Sequence, residues 1–225
     1  MKYPGLERQP VDEKTGGLLR QTARRFLRAQ FGRPTGILGS LIGKIMARTP
    51  SNHERIQWTL SLLEIQPRDR ILEIGFGPGF AIQRVCKLAP EGFVAGVDHS
   101  EVMVRQAGKL NASAIRAGRV RLRLGSATDL PRFDELFDRI FTINSIHFWP
   151  EPVQCLRSLH SQLRPGGCIA VTLQPRSRSA TDDTARELGQ EVADKLRQAG
   201  FSGVHLELLK MKPLAAACAL GIKPE

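Results

Sequence analysis

Tyrosine is almost missing from this chain: Tyr3 is the only one among 225 residues, which excludes a tyrosine base in the core domain. Cysteine is scarce too. Cys86, Cys155, Cys168 and Cys218 stand far apart with no Cys-x-x-Cys, a pattern that argues against a disulfide framework or a zinc site and fits a reducing cytoplasm. No His, Cys and Asp residues cluster at metal-ligand spacing, so no metal is expected. Long apolar runs are lacking. The patch from Gly36 to Met46 carries three glycines, Ser40 and Lys44; it is too short and too broken to span a bilayer, which takes about 20 apolar residues. No apolar h-region follows Met1, so no secretory signal is expected.

What is present reads as an ordinary globular chain. Hydrophobic residues make up 41% and charged residues 24%, close to average usage. The length suits one α/β domain with an extension. The net charge of +11 is unevenly spread: residues 1–50 hold ten Lys and Arg against Glu7, Asp12 and Glu13. A basic segment of this kind is either a solvated helix face or a surface for an anionic partner such as nucleic acid or membrane. Within it, Leu18, Leu19, Ala23, Phe26 and Leu27 follow helical spacing over Leu18–Phe31, with Arg20, Arg24, Arg25 and Arg28 covering the rest. Residues 1–50 are therefore expected to be a basic helical extension, and 51–225 the main domain.

A second helix is expected over Ser51–Leu63, with Ser51 as N-cap and Glu54 completing a capping box. Strand and helix patterns then alternate. Strands are expected at Arg70–Ile74, Phe93–Val97, Val120–Leu124, Asp138–Ile143, Cys168–Leu173, Val204–Leu209 and Leu214–Leu220. Helices are expected at Gly79–Leu88, Val102–Ala117, Val153–Leu163 and Asp182–Ala199. Repeated strand–helix–strand units imply an α/β fold with a doubly wound, mostly parallel seven-stranded, Rossmann-like sheet. The connection around Pro213 is too short for a crossover helix, so the last strand runs antiparallel.

The informative stretch is Glu73-Ile74-Gly75-Phe76-Gly77-Pro78-Gly79-Phe80. A strand enters a glycine turn that opens a helix, which lets the backbone approach a ligand and aims free N–H groups at an anion. The dinucleotide fingerprint G-x-G-x-x-G fails in both registers, because the sixth position is Phe80 or Ile82. A phosphate-binding Gly-Lys-Ser/Thr loop is absent. Instead an acid stands two residues before the first of three alternating glycines. This resembles the first motif of class I S-adenosylmethionine-dependent methyltransferases. Asp98 ends the second strand where that family, like NAD enzymes, carries an acid for ribose hydroxyls, and a carboxylate has two oxygens to accept both. The run Gly125-Ser126-Ala127-Thr128-Asp129 looks like the family's adenine loop, with Ser126 in place of the usual acid and Thr128 or Asp129 as substitutes. Leu163-Arg164-Pro165-Gly166-Gly167 resembles the turn before the family's fifth strand.

The resemblance implies S-adenosyl-L-methionine as cofactor, with S-adenosyl-L-homocysteine as product. It implies a cofactor site of Glu73, Gly75, Phe76, Gly77, Gly79, Asp98, His99, Ser126, Ala127 and Asn144. The acceptor is expected beside Asn144–Pro150. His147 is the titratable group of that run and the expected catalytic base, against a purely structural role, and Phe148 and Trp149 either wall the acceptor pocket or pack in the core. The basic extension is expected to fold over the cofactor mouth as a lid. No Asn-Pro-Pro-Tyr follows the fourth strand, and no cysteine neighbours it, which disfavours transfer to adenine or glutamine amino groups and covalent cytosine chemistry. The leading expectation is a cytoplasmic monomer or homodimer acting on a small-molecule acceptor such as a secondary metabolite, quinone or lipid-like compound. An RNA methyltransferase, a non-catalytic cofactor-binding module and peripheral membrane contact through residues 18–46 are the alternatives.

Overall fold

The computed structural model describes residues 49–175, 177 and 179–225. The expected extension at 1–50, with its helix, its lid role and its membrane-facing stretch, lies outside the described residues except for Thr49 and Pro50.

The first helix, α1 (Pro50–Leu62), starts one residue earlier than expected. Its N-cap is Thr49, in extended backbone and without a side-chain cap, and Pro50 takes the first helical position. The Ser51–Glu54 capping box is therefore not formed. Proline sets the φ of the first turn and pushes the preceding residue into extended geometry, so the boundary falls at Pro50.

Seven strands build one sheet in the order β3-β2-β1-β4-β5-β7-β6. These are β1 (Arg70–Ile74), β2 (Phe93–Asp98), β3 (Val120–Leu124), β4 (Phe137–Ile143), β5 (Leu163–Leu173), β6 (Ser202–Leu209) and β7 (Ala216–Ile222). The first five run parallel. β7 inserts antiparallel between β5 and β6, as expected of the last strand. β5 begins earlier than expected because Leu163 pairs with Phe137 before the register shifts at Cys168.

Period-two alternation sends side chains to both faces of the sheet. Leu72, Ile74, Ile140 and Val171 join one core with Leu156, Leu159 and Leu196 of α5 (Pro152–Gln162) and α6 (Asp182–Gln198). Ile71, Val94, Phe141 and Ala170 join the other, under Ile56 and Leu60 of α1 and Ile82 and Val85 of α2 (Phe80–Leu88), with Met103 and Ala107 of α3 (Glu101–Leu110). The strand order reverses between β1 and β4, and a crevice opens at such a switch point beyond the carboxyl ends of the strands.

The helix expected over Val102–Ala117 is two helices, α3 and α4 (Ala112–Arg116). The break falls at Asn111, which is buried and whose side-chain amide donates to Gly79 O at 3.1 Å and Ala107 O at 3.0 Å. A side chain that bonds backbone competes with helix propagation.

α1 is tied to the sheet by a buried hydroxyl pair, Thr59 and Thr172, 2.8 Å apart. Thr59 Oγ1 also donates to Arg55 O at 2.9 Å. Thr59→Val should cost about 1–3 kcal/mol of unfolding free energy, because it strips a buried hydroxyl of its partner. Urea denaturation would check this, and a Thr59→Val/Thr172→Val double variant should lose less than the two single losses combined.

Candidate active site

A cavity of about 480 Å³ sits at the switch point. Its floor is the turn between β1 and α2. Gly75, Gly77 and Gly79 hold φ of 76°, 53° and 86°, a region that side chains strongly disfavour. The three glycines serve different needs. A Cβ on Gly75 would stand 2.6 Å from Ser145 Oγ, and one on Gly79 would stand 2.6 Å from Ala107 Cβ. A Cβ on Gly77 would meet nothing within 4 Å; that glycine faces open cavity.

The turn is tied from outside. Gly75 N donates to Val97 O at 2.8 Å. Gly77 N donates to Asp98 Oδ2 at 2.8 Å, and Ser100 N donates to Asp98 Oδ1 at 2.9 Å. Each carboxylate oxygen keeps a further lone pair for a ligand hydroxyl. Burial raises the Asp98 pKa, while the N–H groups of Ser100 and Gly77 and the nearby His99 pull it back down.

Glu73 lies on the same face of the sheet as α1 and is 3% exposed. Burial and the charge of Asp98 push its pKa from 4.5 up to about 8, against a backbone hydrogen bond from Ile82. Its Oε2 is buried and has no hydrogen-bond partner among the described residues. An orphaned carboxyl oxygen at a cavity wall fits a cationic or N–H donor of a ligand.

Of the expected cofactor residues, Glu73, Gly75, Phe76, Gly77, Asp98, His99, Ser126, Ala127 and Asn144 line this one cavity. Gly79 does not line it; it is the left-handed N-cap of α2. In the adenine-type loop Ser126 Oγ lies 2.8 Å from Thr128 Oγ1, and Thr128 lines the cavity while Asp129 does not.

His147 is the expected residue that the structure does not bring in. It sits exposed on a 3-10 turn (Ile146–Phe148), its ring edge against Phe148 at 4.9 Å, and is not among the lining residues. Residues three apart share a face of such a turn, so Ile146 and Trp149 point inward and His147 outward. Phe148, Trp149 and Pro150 do line the cavity. Trp149 Nε1 donates to Ser145 Oγ at 3.0 Å, which fixes the indole.

Two residues were missed by sequence reasoning. Asn111 acts through the Gly79 carbonyl. Arg55 lines the cavity from α1 and is 7% exposed. Its signal was periodicity: Asn52, Arg55, Ile56, Thr59, Leu60 and Leu63 form one inward stripe, and a cation in such a stripe is unusual.

The remaining titratable groups offer little chemistry here. All four cysteines are free, and burial lifts the Cys218 thiol to about 12. Among the described residues no group of His, Cys, Asp and Glu could hold a metal.

This architecture, a parallel sheet with a glycine turn and a ribose-type acid at its switch point, is that of methyltransferases that use S-adenosylmethionine. Residues 71–167 match the methyltransferase domain family. Methyltransferase YdaC of Bacillus subtilis (strain 168), itself uncharacterized, is 32% identical over 184 residues, covering 82% of this chain and 98% of that protein. The 27-O-demethylrifamycin SV methyltransferase of Amycolatopsis mediterranei (strain S699) is 30% identical over 136 residues, 58% of this chain and half of that relative's length. Among solved structures, a SAM-dependent methyltransferase from Aquifex aeolicus shares the fold with a TM-score of 0.65 at 19% identity, over 82% of this chain and 98% of that one. The N-methyltransferase NodS from Bradyrhizobium japonicum WM9, in complex with S-adenosyl-L-homocysteine, gives 0.63 at 20% identity, over 80% and 91%. The chain belongs to the class I S-adenosylmethionine-dependent methyltransferases, and S-adenosylmethionine is its cofactor.

A carboxyl with a raised folded pKa disfavours the fold as pH climbs from its unfolded value toward its folded one. For Glu73 that window runs from 4.5 to about 8. Glu73→Gln should therefore raise the Tm of the ligand-free protein at pH 8 and leave it nearly unchanged at pH 4.5. A gain of the same size at both values would show that ionisation of Glu73 is not the cause.

Proposed function

We propose that the enzyme methylates a small-molecule acceptor that enters beside the Ser145–Pro150 turn. The observation that carries this reading is the composition of the cavity wall there. Phe148 is 43% exposed yet lines the cavity with Trp149 and Pro150, giving an aromatic mouth suited to a flat or greasy compound. Relatives named for small molecules support it: the rifamycin methyltransferase and demethylmenaquinone methyltransferases of Listeria species. The latter match 53% of this chain and 53% of their own length. The RNA and membrane readings rest on residues 1–50, outside the described residues.

S-adenosylmethionine supplies an activated sulfonium methyl group. The protein's task is to align the acceptor and keep water out. Asp98 offers lone pairs to the ribose, and the loop Ser126–Thr128 flanks the base. Gly77 leaves room for the ligand against the backbone, and Glu73 meets the ammonium of the amino-acid end. Asn144, left-handed at φ 57°, holds the end of β4 by accepting the backbone N–H of Gln174 at 2.8 Å. A base role for His147 requires its ring to turn inward from the surface.

Calorimetric titration with S-adenosylhomocysteine tests the cofactor half: Asp98→Ala should weaken binding about 10- to 100-fold, the scale of losing charge-assisted hydrogen bonds. Unchanged affinity would remove Asp98 from the ribose role. The acceptor half is tested by incubating the enzyme with S-adenosylmethionine and a panel of quinones, phenols, amines and RNA, and measuring S-adenosylhomocysteine release. Turnover on RNA alone would overturn the small-molecule reading. With an active compound in hand, Phe148→Ala should raise its KM several-fold. His147→Ala should leave kcat and cofactor affinity nearly unchanged, as its outward position implies; a loss of kcat alone would restore its base role.

A further inference from the structure

Ser145 joins the glycine turn to the aromatic wall. It follows β4 directly after Asn144, whose left-handed backbone (φ 57°) turns the chain out of the sheet. A Cβ on Gly75 would come within 2.6 Å of Ser145 Oγ and 2.7 Å of its Cβ, so a side chain at 75 would displace the hydroxyl. On its other side Oγ accepts the indole N–H of Trp149 at 3.0 Å. Trp149 is packed in the core. The backbone N–H groups of Phe148 and Trp149 donate to Ser145 O and Ile146 O at 2.9 and 3.1 Å and close the turn.

A hydroxyl carries one proton and two lone pairs. The indole takes one lone pair. The Gly75 side offers only carbon, and no acceptor for the proton is found among the described residues. Ser145 lines the cavity, so its proton is available to a ligand there. An O–H whose oxygen already accepts a hydrogen bond is a stronger donor. The carboxyl and imidazole groups that line the cavity are Glu73, Asp98 and His99. Glu73 and Asp98 lie at the ends of β1 and β2 and His99 follows; none belongs to the Ser145–Pro150 turn, from which His147 points away. This wall therefore supplies a hydrogen-bond donor and flat apolar surface but no base. A planar compound that arrives with its oxygen already ionised fits such a wall.

Resting on the small-molecule reading above, we propose that Ser145 orients the acceptor by donating its O–H to an ionised oxygen on a planar compound, a phenolate or enolate. Trp149 is the positioning residue that fixes the hydroxyl. One lone pair of the acceptor oxygen meets Ser145, and another forms the new oxygen–methyl bond as the sulfur–methyl pair returns to sulfur. An anion and a sulfonium become a neutral ether and a neutral thioether, and no proton has to leave.

The experiment titrates para-nitrophenol, whose visible absorbance reports its own ionisation, into the full chain saturated with S-adenosylhomocysteine, so that binding is read without turnover. Its methyl ether, para-nitroanisole, is the neutral counterpart and is followed by calorimetry. The wild type should bind the phenolate about 10-fold tighter than the ether, the scale of a hydrogen bond to a charged group. Ser145→Ala should remove most of that preference, weakening the phenolate by about the same factor and the ether by less than about twofold. Trp149→Phe, which keeps a ring without the N–H, should lose part of it. Equal affinity of the wild type for phenolate and ether would overturn the proposal. Equal losses on both probes in Ser145→Ala would make Ser145 a packing residue and overturn it too. If Ser145→Ala fails to fold, the wild-type comparison and Trp149→Phe decide, and a full preference kept by Trp149→Phe overturns the proposal. Binding of neither probe would overturn the small-molecule reading together with it, a result distinct from equal affinity.

Discussion

The structure depends on a backbone turn that cannot hold itself. Between Glu73 and Phe80 the chain takes three left-handed residues in alternation, with few side chains to pack. Ordering a residue costs about 1–2 kcal/mol, so external ties must fix the turn. They come from the end of β2 and from the break between α3 and α4: the carbonyl of Val97, the carboxylate of Asp98 and the amide of Asn111. A hydrogen bond to a charged group contributes about 1.5–3 kcal/mol and a neutral one about 1, so the tie to the Asp98 carboxylate is the strongest of the three. Asp98 therefore has a structural duty as well as a ligand-facing one. The same carboxylate that lines the cavity keeps the glycine turn in shape before any ligand arrives.

Electrostatics follow from that geometry. Bringing β1 and β2 together at their carboxyl ends places two acids in one dry corner, and burial plus the mutual charge hold the Glu73 proton to a pH of about 8. The ligand-free site thereby avoids a bare buried anion.

How much of this the sequence reveals depends on how local each feature is. The strand–glycine–helix unit is encoded within eight residues, and Asp98 ends a strand that must lie beside it, so the meeting of these residues at one cavity was legible. Thr128 or Asp129 was open in the sequence; Thr128 lines the cavity and Asp129 does not. Asn111 and Arg55 were not legible as site residues. Arg55 sits on α1 and Asn111 at the break between α3 and α4, 32 residues after Gly79, and only tertiary packing aims either. Asn111 also broke a helix that hydrophobic periodicity alone would continue. The 144–150 run left alternatives open, a base or a structural role for His147 and a pocket wall or core packing for Phe148 and Trp149, because a sequence does not show the 3-10 turn that puts Ile146 and Trp149 inside and His147 on the surface. The seven strands and the antiparallel last strand came through because strand spacing and the short Pro213 connection leave few alternatives.

The exposed position of Phe148 has a further consequence. The residue borders the crevice yet carries almost none of the core, and it is not among the residues that tie the glycine turn. Exchanging Phe148 or Pro150 should therefore leave folding and cofactor capture largely intact while redrawing the contour that an acceptor meets. Substrate range in such an enzyme can drift readily: natural or directed evolution could retarget it through a few surface positions without first gathering stabilising changes elsewhere.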